Sequence, residues 1–293
     1  MDIRTDQLLK GKYCVITSGA HGLGFAIAKL FVSQGATVAV CGRSPSGKVS
    51  VEMLKKMNCE SFFFQCDLEQ EGQVEAFAEE VLKRFGRVDV LVNNAGINKQ
   101  QRLVDMEMEV YERIQQVNLR SSIQLLKYFV PIMIEQKIHG SIVSISSVNS
   151  EVPAPRCTSY AASKGGINAI SKVLASELGK YGIRSNVVAP GWIATTTIKQ
   201  NVESCIQKGY GAEEELEKYY DTSPLMAPSR AWDIAGHVLF LASDLSSYLT
   251  GATIHADGGV IVQAHQCSFP EPENYFEKRM KYYDTVFGDP SWE

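Results

Sequence analysis

From Gly11 to about Gly259 the chain alternates short β-branched, apolar runs with longer stretches in which apolar positions recur every three to four residues. The short runs predict strands over 13–17, 37–41, 61–65, 88–92, 141–145, 184–189 and 252–256. The amphipathic stretches predict helices over 23–34 and 73–84, and a longer one from about 159 to 181. Strand, helix, strand in regular succession needs crossovers, which leave the strands parallel with helices on both faces. The expected fold class is therefore α/β, a doubly wound parallel sheet. Neither an internal repeat nor a low-complexity linker divides it, so one domain is expected over 1–263.

Two segments break the rhythm. Between Pro190 and Pro228 no strand appears where alternation expects one, and the segment carries Trp192, Ile198, Tyr210, Leu225 and Met226 among polar residues. Long insertions in compact domains tend to be lids or binding loops, so 190–228 is read as a lid. Beyond it, the extension over 264–293 sets Phe276, Met280, Tyr283 and Phe287 at helical spacing. An apolar helical stripe is packing surface first, so this extension is expected to dock on the body or on a neighbouring subunit.

Composition narrows the function classes. With 29 basic and 33 acidic residues the formal net charge is −4, which lacks the footprint of a nucleic-acid binder. No apolar run approaches the roughly 18–20 residues that a bilayer requires, so no membrane association is expected. The N-terminal residues alternate in charge and lack a signal-peptide core, which points to a cytoplasmic location. Seven cysteines without a CxxC pair read as reduced thiols, and five scattered histidines offer no metal spacing.

After the first strand stands Thr17-Ser18-Gly19-Ala20-His21-Gly22-Leu23-Gly24, followed by a helix. A glycine-rich turn between strand and helix lets backbone N–H groups approach a pyrophosphate, and the helix N-terminus adds favourable partial charge. At the end of the second strand stand Cys41-Gly42-Arg43-Ser44, with no carboxylate for the adenosine ribose hydroxyls. A carboxylate would repel a ribose 2′-phosphate, whereas Arg43 can pair with one, so NADP(H) is favoured and NAD(H) stays open.

Further along come Asn93-Asn94-Ala95-Gly96, Asn118, Ser146-Ser147 and Tyr160-Ala161-Ala162-Ser163-Lys164. Tyr160 and Lys164 are four apart on an expected helix and share one face. An ammonium beside a phenol favours the phenolate, which is the direction a tyrosine base needs. Such a Tyr/Lys pair arises about once by chance in a chain of this composition, so only the combination is informative.

This combination closely resembles the short-chain dehydrogenase/reductase family, in its single-domain branch with a Rossmann-like fold, from about Leu9 to Gly259. The resemblance implies that Tyr160 exchanges a proton with the substrate oxygen and that Ser147, thirteen residues earlier, hydrogen-bonds the same oxygen. Ser146 is the rival for that place. Lys164 is implied to bind the nicotinamide ribose and tune Tyr160, and Asn118 to position Lys164 through a water relay. Cofactor contacts are implied for Ser18, Gly19, His21, Gly22, Leu23, Gly24, Arg43 and Ser44. Further along they include Asp67, Leu68, Asn94, Ala95, Gly96, Pro190, Gly191, Ile193 and Thr195. The family's first glycine is replaced here by Ser18, which puts the turn geometry in question. A homo-oligomer is implied, a tetramer by family.

For the substrate, the expectation is a ketone or secondary alcohol walled by Val148, Val152, Pro153, Trp192 and Met226. Apolar walls suit a bulky hydrophobic ketone such as a hydroxysteroid, because a sugar acid needs hydrogen-bond partners and a cation. Arg156 and Lys199 keep a sugar acid of the gluconate type, or a 3-oxoacyl thioester, as the alternative. A dinucleotide sensor without turnover is disfavoured, since it needs no proton donor beside the nicotinamide.

Overall fold

The protein is described here by a computed structural model covering residues 7–58, 60–194, 223–225 and 229–262. The seven strands are β1 (Tyr13–Ile16), β2 (Thr37–Gly42), β3 (Phe62–Gln65), β4 (Val90–Asn93), β5 (Ser141–Ile145), β6 (Arg184–Pro190) and β7 (Thr253–Ala256). They form one sheet in the order β3-β2-β1-β4-β5-β6-β7, and every neighbouring pair is parallel. The helices are α1 (Gly22–Ser33), α2 (Gly47–Met57), α3 (Glu71–Phe85), α4 (Met108–Gln115), α5 (Ser121–Glu135), α6 (Thr158–Leu178) and α7 (Ala231–Ala242).

Both faces of the sheet are covered, which is why its strands read as continuous apolar runs. Successive residues of β1 enter opposite layers, as the two-residue period of a strand requires. Cys14 and Ile16 pack with Ile27 and Phe31 of α1 and with Ile234 and Val238 of α7. Val15 packs on the other side with Phe77 of α3 and with Leu125 and Phe129 of α5.

The strand ends differ from the sequence expectation by one or two residues, for side-chain reasons. Asp89, only 2% exposed, accepts the N–H of Tyr13 through Oδ2 at 2.9 Å and both Arg87 contacts, so the ladder of β4 begins after it. Ser61 uses its hydroxyl to accept the Val38 N–H at 3.1 Å, and β3 starts at Phe62. The long expected helix ends at Leu178 and closes in a 3-10 turn, Gly179–Tyr181.

Two features position the site. The sheet reverses its winding between β1 and β4, and a crevice opens there beyond the strand C-termini. Between α4 and α5 the chain makes a π turn, Gln116–Arg120, which carries Asn118. Such turns often occur at functional sites because the extra residue re-aims a side chain. Among the described residues, no helix is long and apolar enough to cross a membrane. Most of the expected lid, including Ile198, Lys199, Tyr210 and Met226, and the whole extension over 264–293 lie outside the described residues.

Candidate active site

The glycine turn is anchored to the loop after β4. Thr17 Oγ1 accepts the N–H groups of Asn94 at 3.0 Å and Ala95 at 2.9 Å, while Asn94 Nδ2 donates to the Thr17 carbonyl at 2.9 Å. Close approach demands the glycines: a Cβ on Gly24 would lie 2.1 Å from the Ser18 carbonyl oxygen. Ser18 itself takes φ 52°, the left-handed region that the family's glycine occupies without cost. The turn thus survives the substitution, and Ser18 faces the cleft.

That cleft, about 250 Å³, brings together Ser18, His21, Arg43, Ser44, Asp67, Leu68, Ala95 and Gly96 of the expected cofactor contacts. It also exposes Ala20, Gly42, Cys66, Glu69, Ile97 and Val117, which sequence reading passed over. The chemistry fits a dinucleotide. The N-cap of α1, His21, makes no side-chain cap, and the first turn holds no acidic residue, so its N–H groups are free to meet an anion. At the adenosine end Ser46 Oγ bonds His21 Nε2 at 3.1 Å and Ser44 Oγ at 2.6 Å.

Arg43 stands at that end with its side chain 68% exposed. Its Nη1 lies 3.9 Å from Glu69 Oε1, and the same oxygen accepts a 2.5 Å bond from Arg113 Nε. A carboxylate therefore does approach this end of the cleft, from the loop after β3 rather than from β2. Arg113 already neutralises it.

On the nicotinamide side, the two serines after β5 separate. Ser146 Oγ donates to the Lys164 carbonyl at 3.1 Å and is committed to α6. Ser147 Oγ accepts the Asn149 N–H at 3.2 Å and donates its own proton to Tyr160. Lys164 is 2% exposed, and its Nζ donates to the Ile145 carbonyl at 2.7 Å. Gly96 makes room for this ammonium: a Cβ there would lie 3.2 Å from Nζ.

Asn118 does not reach Lys164 directly. Its Oδ1 accepts the Ile97 N–H at 2.8 Å, and its Nδ2 donates to the Ile97 carbonyl at 3.0 Å and to Ser163 Oγ at 3.0 Å. It clamps the loop after β4 onto α6, a role that its residue type alone did not reveal.

The electrostatics also differ from the sequence expectation. Burial raises the Tyr160 phenol above its ordinary value, and the hydrogen bond from Ser147 only partly opposes this. The Lys164 ammonium, 5.6 Å from the Tyr160 ring centroid, does not reverse that direction. Burial also pushes Lys164 down to about 8. Without bound ligand the pair is a protonated phenol beside a weakened base, because desolvation outweighs their mutual effect.

Pro190 ends β6 and Gly191, Trp192 and Ile193 follow it, with Gly191 pressed against Asp257, whose carbonyl oxygen would be 2.9 Å from a Cβ there. Thr195 and Met226 lie outside the described residues. Of the expected substrate wall, Val148 is buried, whereas Val152, Pro153 and Trp192 are exposed.

A family model described as enoyl-(acyl carrier protein) reductase, of the short-chain alcohol dehydrogenase type, matches residues 19–261. The chain belongs to the short-chain dehydrogenase/reductase family. This dehydrogenase/reductase is 36% identical over 261 residues to the 3-oxoacyl-[acyl-carrier-protein] reductase FabG of Thermotoga maritima, covering 87% of this chain and 99% of the relative. It is 32% identical to glucose 1-dehydrogenase 2 of Bacillus subtilis, covering 88% and 98%. The solved structure of Cj0485 dehydrogenase superposes on 90% of this chain and 100% of its own, with a TM-score of 0.83 and 28% identity. The chain is thus an NAD(P)-dependent oxidoreductase that interconverts CH–OH and keto groups.

Proposed function

We propose that this oxidoreductase reduces the ketone of a small polar or acyl substrate, of the sugar-acid or 3-oxoacyl-thioester class, with NADP(H) as the preferred cofactor. The observation that carries this reading is the Ser147–Tyr160–Lys164 constellation, with Ser147 and Lys164 buried and Tyr160 half-buried, beside a cleft suited to a dinucleotide. When bound, the nicotinamide supplies the hydride. Tyr160, kept protonated by its burial in the ligand-free site, holds the proton at Oη and gives it to the substrate oxygen as negative charge develops there. Ser147, which donates to Tyr160 in the ligand-free site, turns its proton to the same substrate oxygen and stabilises the developing negative charge. Lys164 binds the ribose hydroxyls, and Asn118 holds the loop that walls the ammonium.

The hydroxysteroid reading has less support. Of its apolar wall, Val152, Pro153 and Trp192 are exposed, Val148 is buried and Met226 lies outside the described residues. Relatives named as an acyl-carrier reductase and a glucose dehydrogenase favour the polar or acyl classes. Exposed Met108, Ile123 and Val173, on α4, α5 and α6, support assembly into an oligomer, the tetramer that the family implies.

The test is oxidation of NADPH and NADH by purified protein against 5-keto-D-gluconate, an acetoacetyl thioester and a steroid ketone. Far higher kcat/KM on the steroid overturns the substrate class. In the same assay, Arg43→Ala lowers kcat/KM for NADPH by about 10- to 100-fold, the worth of a charge-assisted hydrogen bond, and leaves NADH within about threefold. Wild-type efficiency with NADH equal to that with NADPH would remove the role given to Arg43.

The two serines give a second contrast. Ser147→Ala lowers kcat by about 100-fold with little change in Tm, as loss of an oxyanion donor does. Ser146→Ala lowers Tm, because a buried link to α6 is lost, and spares most of kcat. The reverse pattern would exchange their roles.

A further inference from the structure

We propose that Arg156 anchors an anionic group of the substrate, so that this enzyme's ketones carry a carboxylate or a phosphate. The inference rests on the reductase reading above and specifies its substrate. Arg156 has φ 70°, the left-handed region that disfavours any residue with a Cβ and normally selects glycine or asparagine. A long charged side chain kept in such a place points to a use for the side chain. The conformation is held from outside, because the Gln101 N–H donates to the Arg156 carbonyl at 2.9 Å and ties the loop after β4 to the loop after β5.

Nearby charges are accounted for. Arg102 is paired with Asp105 at 2.5 Å, and Lys99 lies 3.5 Å from Glu107. The Arg156 guanidinium makes no ion pair or hydrogen bond among the described residues. It lines an open depression together with Arg102, Leu103, Asp105, Pro155 and Thr158, where the Asp105 carboxylate is taken up by Arg102. Thr158 begins α6, two residues before Tyr160. Tyr160 is the fourth residue after Arg156, a backbone span of at most about 14 Å even fully extended. A ketone held at Tyr160 can therefore extend a charged end to this guanidinium, whose planar fork matches carboxylate and phosphate alike. The anion could be the carboxylate of a small keto acid or a phosphate on the arm of a thioester.

The experiment uses two matched pairs with the NADPH-loaded enzyme: 5-keto-D-gluconate against neutral 5-keto-D-fructose, and acetoacetyl-CoA against acetoacetyl-N-acetylcysteamine. Wild type prefers the anionic member of one pair, and that pair identifies the source of the charge. Arg156→Gln raises KM for that anion at least about tenfold, with kcat within threefold and the neutral member within twofold. Arg156→Lys restores part of the loss. Arg156→Gly gives the same KM defect with no fall in Tm, since glycine suits φ 70°, which separates anchoring from folding. Equal effects on both members of each pair, no effect, or no wild-type preference for either anion overturns the proposal. Calorimetric binding of the same four compounds reads the anchor without turnover. Discrimination there that depends on Arg156 supports the anchor even if none is reduced, whereas absent turnover alone defeats the reductase reading.

Discussion

Tyr160→Phe lowers kcat by at least about 10³-fold, within the range expected for loss of a positioned proton donor, while NADPH affinity stays within about threefold. The substitution removes one oxygen and almost no packing volume, so the fold and the cleft between β1 and β4 are retained. Fluorescence titration of NADPH and steady-state kinetics measure the two effects separately. Turnover near wild type in this variant would falsify the proton-donor role. The ligand-free enzyme adds a spectroscopic check. Burial raises the phenol, so in the difference absorbance between wild type and Tyr160→Phe the phenolate emerges at higher pH than for an exposed tyrosine. A phenolate signal at neutral pH would show that Lys164 already dominates without ligand.

Lys164→Met separates activity from stability. Turnover is lost with the ammonium, yet the variant is more stable at pH 7. Burial holds Lys164 at about 8 against 10.5 when exposed, and this differential disfavours the charged folded state. Relief of that cost, less the loss of the bond to the Ile145 carbonyl, leaves a gain of order 1–2 kcal/mol. Between pH 8 and 10.5 the unfolded chain holds more protons on this lysine than the folded chain does. Wild-type stability therefore rises across that window, and the advantage of the variant is lost within it and reversed at its upper end, where the bond to the Ile145 carbonyl is all that the variant lacks. Denaturant titrations at pH 7 and pH 10 decide it, and an equal difference at both values would show that burial does not cost Lys164 its charge.

The inner strands β1, β2 and β4 were legible because they are buried and nearly unbroken in their apolar runs, and the partly buried edge strands β3 and β7 because of their place in the alternation. Their exact ends were not, since Asp89 and Ser61 substitute side-chain oxygens for ladder partners, and periodicity contains no such information. The Tyr160–Lys164 pair follows from helical spacing, and Ser147 from its place after β5. The rise of the Tyr160 phenol in the ligand-free site was not legible, because proximity of an ammonium can be inferred from spacing, whereas the burial that outweighs it there cannot. Glu69 was missed for a related reason. It stands 26 residues beyond Arg43 and meets it only because β2 and β3 are neighbours. A search for acids near one strand end cannot see the next strand's loop. Asn118 was found as a residue but not as a clamp, because its bonds to Ile97 depend on a π turn that the sequence does not announce.

The strand order also sets a constraint on how the chain acquires its shape. β3, β2 and β1 come from the first part of the chain and β5, β6 and β7 from the rest, and the two groups meet only where β1 pairs with β4. Tyr13 and Asp89, which fasten that seam, are 76 residues apart. Closing so long a loop costs entropy before any contact compensates it, and non-local pairings of this kind make folding slow. The crevice lies over the same seam, so it comes into being only when the halves have joined. A ligand seated there holds both halves at once and opposes their parting, which ties the lifetime of the folded chain in the cell to the supply of its own cofactor.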